Sequence, residues 1–361
     1  MRIHFKTSYN DDIRLFEDRF TALKYAVLLA FAIALPFLLG DFYLGEATNV
    51  LIWAIAGLGL MLLTGQTGQV SLGHAAFLAL GAYSNLILLD KGVPFIISFP
   101  LAGIITGVVG TIIAIPALRL HGIYLAIATM TISILADDII VLTEPWTGGV
   151  VGMFPPTIDI FGFEIERWSQ PDRFYYLVLI TTVICTLFYR NLLRAPLGRA
   201  FAAVRDSEVS AAAMGVHISR TKMTAFGISC AITGLAGALM GYFSGMVNNE
   251  TFTVVISIQL LMMIVIGGLG TIHGAFFGAF VVAFLPQGLS IAKDWFGSSS
   301  VAIPGLETGV FGMILILFIL FEPGGIYGRW VKTRIWLELF PFARKDMFKR
   351  QKSYLKTERL R

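Results

Sequence analysis

The chain is 361 residues long, 56% hydrophobic and 14% charged, with a mean hydropathy of +0.77, whereas soluble domains carry about 25% charged residues. The charges are clustered and leave uncharged runs of about 20 residues, enough to cross the hydrocarbon core of a bilayer. This excludes a soluble domain, the lack of period-two alternation excludes a barrel, and an all-α polytopic membrane protein remains, because a helix satisfies its own backbone in lipid.

Ten spans are expected, with bounds good to a few residues. The segment 1–20 is mixed in charge (Arg2, Lys6, Asp11, Asp12, Arg14, Glu17, Asp18, Arg19) and lacks a small-residue cleavage site, so the first span, about 21–39, is expected to be retained. Asp41 and Glu46 are read as a short acidic turn before span 2, about 50–63. A Gly-rich polar break, GQTGQVSLGH at 65–74, leads into span 3, about 72–89. Spans 4 and 5 lie at about 95–118 and 122–142. The loop 143–173 is acidic, with Glu144, Asp159, Glu164, Glu166 and Asp172 against Arg167 and Arg173, and span 6 follows at about 174–189. A basic loop, 190–222, holds Arg190, Arg194, Arg199, Arg205, Arg220 and Lys222 against Asp206 and Glu208. Within it, Asp206 or Ser207 can cap a helix of about two turns that Gly215 ends. A helix so short needs a surface to pack on, because nucleation is costly. Spans 7, 8 and 9, about 223–246, 252–266 and 273–291, include a second Gly-rich break, GGLGTIHG at 267–274. A loop at 293–307 precedes span 10, about 308–321, and the tail 326–361 is basic.

Lys and Arg orient this set. The N-terminal region, the loop 190–222 and the tail hold 22 of the 27. Six spans separate the first region from the second and four separate the second from the third, so all three fall on one side. The positive-inside rule makes that side cytoplasmic and puts the 143–173 loop outside. The net charge of +4 belongs to this bias and not to a nucleic-acid partner.

Span 7 carries Ser229, Thr233, Gly237, Gly241 and Gly245 at a spacing of four. Such a smooth face lets helices approach closely and predicts tight packing, with a pore-lining face as the alternative. Gly103 and Gly107 in span 4, and Gly274, Gly278, Ala275, Ala279 and Ala283 in span 9, read the same way. The two Gly-rich breaks, each with a histidine, hint at a weak internal repeat, and broken helices often flank a transporter's substrate path. Gln66, Gln69, Ser71 and His74 in the first break, and Gly267, Gly268 and His273 in the second, are the candidate path residues.

Signals for chemistry are few. The sequence has no P-loop, no H-E-x-x-H and no cysteine pair spaced for zinc, so no metal site is expected. Cys185 and Cys230 read as small apolar helix residues. His74 and His273 are expected to cap or pack in preference to relaying protons. Asp137 and Asp138 sit over 20 Å up span 5 at about 1.5 Å per residue, near the outer interface, where a carboxylate costs little. The sharper reading of that pair is a site for a substrate ammonium group.

Four ordered blocks carry a resemblance: GLMLLTGQTGQVSLGHAAFLALGAYSN at 59–85, LRLHGIYLAIATMTIS at 118–133 with TGG at 147–149, PLGRAFAAVRDSEVSAAAMGVHISRTKMTAFGISCAITGLAGALMG at 196–241, and IVIGGLGTIHGAFFGAF at 264–280. They resemble the permease subunits of branched-chain amino acid ABC importers, the longer LivM-type in particular. The resemblance implies a second homologous permease, two cytoplasmic ATPases that bind ATP and Mg, an extracytoplasmic binding protein, and no cofactor in this chain. It also implies that the helix Ser207–Gly215, with Ser207, Glu208, Ala211, Ala212, Met214 and Gly215, docks in an ATPase groove. The general importer motif places Glu-Ala-Ala six residues before a Gly; here Val209, Ser210 and Ala211 stand there and Glu208 is one position early. The implied location is a bacterial or archaeal cytoplasmic membrane. The domain plan is a cytoplasmic segment 1–20, a permease domain 21–325 and a basic tail 326–361 in contact with lipid. Family members also carry urea, short amides and other amino acids. A stand-alone secondary transporter, a membrane enzyme and a lipid-binding tail as the working part are the rival readings.

Overall fold

The computed structural model describes residues 19–117, 120, 122–160, 162–295 and 324–339, with a few positions between 309 and 320. The N-terminal segment to residue 18, most of span 10 at 308–321 and of its preceding loop, and the tail past residue 339 lie outside the described residues. In chain order the helices are α1 (Arg19–Leu38), α2 (Asp41–Leu60), α3 (His74–Asp90), α4 (Phe95–Ala117), α5 (Ile123–Leu142), α6 (Glu144–Thr147), α7 (Pro171–Arg194), α8 (Pro196–Asp206), α9 (Glu208–Ala213), α10 (Ile218–Ser244), α11 (Val254–Gly267), α12 (Ile272–Trp295) and α13 (Gly325–Leu339).

Six helices among the described residues are long and apolar enough to cross a membrane: Asp41–Gln66, Phe95–Pro116, Ile123–Leu142, Pro171–Arg194, Ile218–Ser244 and Asn249–Gly267. Ala22–Leu38, His74–Asp90 and Ile272–Leu285 are shorter apolar helices. The nine fall where spans 1 to 9 were expected. The acidic turn is not a turn: Asp41 and Glu46 lie inside α2, and Asp41 occupies its first turn, where a carboxylate meets the positive end of the helix dipole. The stretch 190–222 is not a loop either, since α7 runs on to Arg194 and α8 fills Pro196–Asp206.

Helix α10 is the centre of the bundle and packs against α2, α3 and α4. Lipid tails are as apolar as leucine, so this contact rests on van der Waals fit between smooth backbones. The small-residue face supplies that fit. A Cβ on Gly237 would stand 2.0 Å from the Leu78 carbonyl oxygen, and one on Gly81 2.1 Å from that of Gly234. Gly59 faces Thr233 and Ser229, while Gly107 and Gly110 face Ala231 and Cys230. Gly278 lies against the Met263 carbonyl in the α11–α12 contact. Cys185 and Cys230 are both buried. The faces of α4 and α5 turned away from α10 show Ile104, Val108, Ile112, Ile127 and Ile134, as lipid-facing helices do.

The 143–173 segment is structured. Thr147 Oγ1 donates to the Ile140 carbonyl at 2.7 Å, and Gly148 and Gly149 take positive φ of 72° and 57°. A Cβ on Gly148 would stand 2.3 Å from the Gly152 oxygen, which explains the TGG triplet. Two short antiparallel strands, β1 (Ile158–Ile160) and β2 (Phe163–Ile165), form a hairpin that was not expected. Met153 pairs with Val247 just beyond α10. Arg167 donates to the Phe243 carbonyl at the end of α10 and lies over the Phe243 and Trp168 rings. Burial lowers its pKa, and the Glu46 carboxylate opposes that shift. This acidic segment is therefore latched onto the C-terminal end of the central helix, with Trp146 and Trp168 exposed.

Candidate functional site

Two regions singled out in the sequence define the site. The first is the helix that follows α8. Pro196 starts α8 at a position where a missing N–H costs nothing. Ser207 then caps α9, its Oγ accepting from Ser210 N at 3.2 Å. At the other end Gly215 adopts φ 85°. The Val216 N–H reaches the Ala211 carbonyl and the Gly215 N–H that of Ala212, each at 3.0 Å, a Schellman closure. The cap and the stop thus fall at Ser207 and Gly215 as the sequence indicates. Ala211 alone of α9 is buried. Val209 and Met214 are 82% and 85% exposed, and Ala212, Ala213 and Gly215 are exposed beside them. A shallow groove lined by Ala212, Gly215, His217 and Arg220 runs along this face.

Glu208 turns inward. Its Oε1 lies 2.7 Å from Nζ of Lys222, whose side chain is 8% exposed at the start of α10. A pair with one buried and one half-open member falls between the surface range of about 0–1 kcal/mol and the buried range of about 3–5 kcal/mol. Glu208→Gln is therefore expected to lose about 1–2 kcal/mol of stability, and Lys222→Met on top of it to recover most of that loss. Thermal unfolding of the four members of the cycle reads the coupling directly, and additive losses would remove the pair from the account.

The second region is the pair of Gly-rich breaks. Helix α2 widens into a π-helical turn, Met61–Gln66, and stops. The Gln69 N–H reaches back to the Leu63 carbonyl. The second break, between α11 and α12, lies directly against the first. Gln66 Nε2 donates to the Gly270 carbonyl at 2.9 Å across 204 residues, and the Gly270 N–H points at Met61 Sδ. A Cβ on Gly65 would stand 2.7 Å from Gly270 N. Gly267 lies against Gly274, and Gly268 has φ 117°.

The polar candidates of the first break are packed in, whereas His273 of the second is exposed. Gln66, Gln69, Ser71 and His74 are buried, the last two with no exposed surface. His74 Nε2 lies 2.9 Å from Ser229 Oγ and Nδ1 lies 3.1 Å from Ser71 Oγ. Ser229 spends its own proton on the Gly59 carbonyl at 2.6 Å, which assigns the imidazole hydrogen to Nε2 and makes Nδ1 an acceptor. The free N–H groups at the start of α3 are met from other helices: Leu72 N by Thr129 Oγ1 at 2.9 Å and Ala75 N by Ser257 Oγ at 2.8 Å. Thr129, Ser229 and Ser257 carried no signal in the sequence for this role, since each is one small polar residue inside an apolar run. His273 pairs with the Tyr25 hydroxyl at 2.9 Å and stacks on Tyr327 of α13 at 5.3 Å between centroids. Asp137 and Asp138 lie near the end of α5, Asp137 half-buried and Asp138 exposed. Among the described residues no group of three His, Cys, Asp or Glu side chains is placed to hold a metal.

Comparison with known proteins places this architecture. The family described as "Branched-chain amino acid transport system / permease component" matches residues 42–319, well over half of the chain. The Salmonella typhimurium permease protein LivM, of a high-affinity branched-chain amino acid transport system, is 32% identical over 321 residues, 83% of this chain and 73% of the relative. Its Escherichia coli counterpart is 32% identical over 326 residues, 84% and 74%. A probable LivM of Methanocaldococcus jannaschii is 28% identical over 313 residues, 84% and 86%. No solved structure matches the chain. With this match over most of its length and six apolar helices able to span, the chain is a multi-pass membrane protein that belongs to the family of permease components of branched-chain amino acid transport systems.

Proposed function

We propose that this permease forms half of the translocation path of an ATP-driven importer for leucine, isoleucine and valine or a closely related small solute. A binding protein on the outer face would deliver the solute, a second homologous permease would complete the path, and two ATPases would bind ATP and Mg. The observation that carries the reading is the short helix α9. It is capped at Ser207, closed at Gly215, and presents Val209, Ala212 and Met214 outward with no cover of their own. Such a helix fits an ATPase groove, with Ser207, Glu208, Ala211, Ala212, Met214 and Gly215 as its frame. Because Glu208 is held by Lys222, the docking contact rests on the apolar face and not on an acidic anchor.

The two breaks, with Gln66, Gln69, Ser71 and His74 on one side and Gly267, Gly268 and His273 on the other, border the path in this proposal. Movement of α9 on ATP binding would tilt the helices beside it and alternate access, a two-state bias of the ordinary kind. The exposed acidic segment 143–173, with Trp146 and Trp168, is the surface for the binding protein. Both termini and α9 lie in the cytoplasm on the charge argument. The tail 326–361 is an anchor whose Lys and Arg contact anionic lipid, each worth about 1 kcal/mol near such a surface.

The test is purification of the chain in mild detergent from cells that express the transport system, wild type beside Ala212→Glu and Met214→Glu, both at exposed positions. ATPases and a second permease are expected with the wild type, and the ATPases are expected to drop at least tenfold in the variants. A wild-type chain that purifies alone and moves leucine into vesicles without ATP would make this a secondary carrier.

A further inference from the structure

The guanidinium of Arg205 sits where α8, α9 and both breaks converge, and neither the proposed docking face nor the proposed path accounts for it. Arg205 is the penultimate residue of α8, two positions before the Ser207 cap of α9. Its Nε and Nη2 both donate to Asp206 Oδ1, each at 3.1 Å. That contact orients the fork and frees Nη1, which reaches across 140 residues to the Gly65 carbonyl at 3.1 Å.

Gly65 offers this carbonyl because its helix has ended. In an unbroken helix the Gln69 N–H would take it, but that group is bonded to Leu63. Helix ends leave such carbonyls in need of donors, and Arg205 is the donor here. The second break shares the contact: a Cβ on Gly270 would stand 3.3 Å from the Gly65 oxygen and 3.7 Å from Arg205 Nη1. The stem of Arg205 lies along the first break, its Cγ 3.3 Å from where a Gly68 Cβ would be.

We infer that Arg205 is a positioning residue that carries displacement of the α8–α9 corner into the two Gly-rich breaks. The inference rests on the reading of α9 as the ATPase contact, and it adds the link by which that contact reaches the path. Three features make the link stiff. The guanidinium is planar, Asp206 orients it, and no backbone donor among the described residues competes for the carbonyl it holds. The breaks are the segments free to respond, because residues 68–73 and 268–271 lie outside the helices that flank them.

The experiment uses the full complex of both permeases and ATPases in lipid nanodiscs. Spin labels are placed at Val70→Cys and Leu269→Cys, one beside each break, in chains carrying Arg205, Arg205→Gln or Arg205→Lys. With native Arg205, ATP and vanadate are expected to shift the label-to-label distance. With Arg205→Gln the shift is expected to vanish, while ATP hydrolysis stays within about twofold and the ATPases still co-purify. Arg205→Lys is expected to restore part of it, because an ammonium can reach Gly65 but cannot also grip Asp206. A shift that survives Arg205→Gln overturns the inference. So does a joint loss of shift, hydrolysis and thermal midpoint that lysine does not rescue, since Arg205 would then be a structural pin alone. Bound ATPases with no shift in the native Arg205 chain would overturn the transmission and leave the α9 reading intact, whereas absence of the ATPases would overturn that reading itself.

Discussion

Gly81→Ala and Gly237→Ala are each expected to abolish the monodisperse peak of the detergent-solubilised protein, while Gly45→Ala leaves it intact or sharper. The single added carbon decides this. At Gly81 it would stand 2.1 Å from the Gly234 carbonyl oxygen and at Gly237 2.0 Å from that of Leu78, where ordinary contact begins at 3.4 Å. Each obstacle is backbone in the opposing helix, so no rotamer change relieves it; α3 and α10 must separate by about an ångström along their whole contact. Overpacking a core costs typically 1–3 kcal/mol and occasionally more. Parting two backbones belongs at or above the top of that range, a large share of a stability of about 5–15 kcal/mol. Gly45 also lies in a helix, yet nothing stands within 4 Å of its Cβ position, so alanine there gains up to about 1 kcal/mol of helix propensity. Fluorescence-detected gel filtration with a heating series measures all three. Equal behaviour of Gly81→Ala and Gly45→Ala would mean that α3 and α10 are not in close contact.

The stripe behind this prediction was legible because one physical rule, close approach through small residues, acts at one spacing. The spans were legible for a similar reason, since hydrocarbon thickness imposes a single length. What the sequence concealed involves groups from distant segments. Helix α8 was hidden because Arg199, Arg205 and Asp206 read as loop polarity, although Pro196 followed by Leu197, Phe201 and Val204 carries an amphipathic signal. Its buried Phe201 and Val204 show that α8 lies along the bundle. Lys222 counted as one more loop charge, and only the fold reveals that it is buried against Glu208. The two breaks were visible as glycine and polar punctuation, but their contact through Gln66 and Gly270 spans 204 residues, and no local pattern encodes it. Gly215 and Ser207 were readable because capping is local chemistry.

His74→Ala is expected to cost about 3–5 kcal/mol and to leave the pH dependence of solute uptake unchanged. The side chain has no exposed surface and meets Phe77 edge-on at 6.0 Å between centroids. Truncation leaves a cavity of the kind that costs about 2–5 kcal/mol. It also strands the Ser71 hydroxyl, whose acceptor was Nδ1, and removes the donor to Ser229. A stranded buried polar group adds about 1–3 kcal/mol, offset where the hydroxyl can rotate to a carbonyl. Ser229→Ala should cost less, about 1–3 kcal/mol, because it deletes one hydroxyl and little volume. The same geometry argues against a relay. Both ring nitrogens are already committed, Nε2 to Ser229 and Nδ1 to Ser71, and a second proton on Nδ1 would face a hydroxyl that must first turn away from it. The imidazole therefore works as a neutral two-ended strut that ties the first break to α10. Uptake by the variant, assembled and assayed at about 20 °C to offset its lower stability, should follow the wild-type curve across pH 6 to 8. A displaced curve, or a variant as stable as wild type, would favour the proton-relay reading of His74 and remove it from the scaffold that holds the break in place.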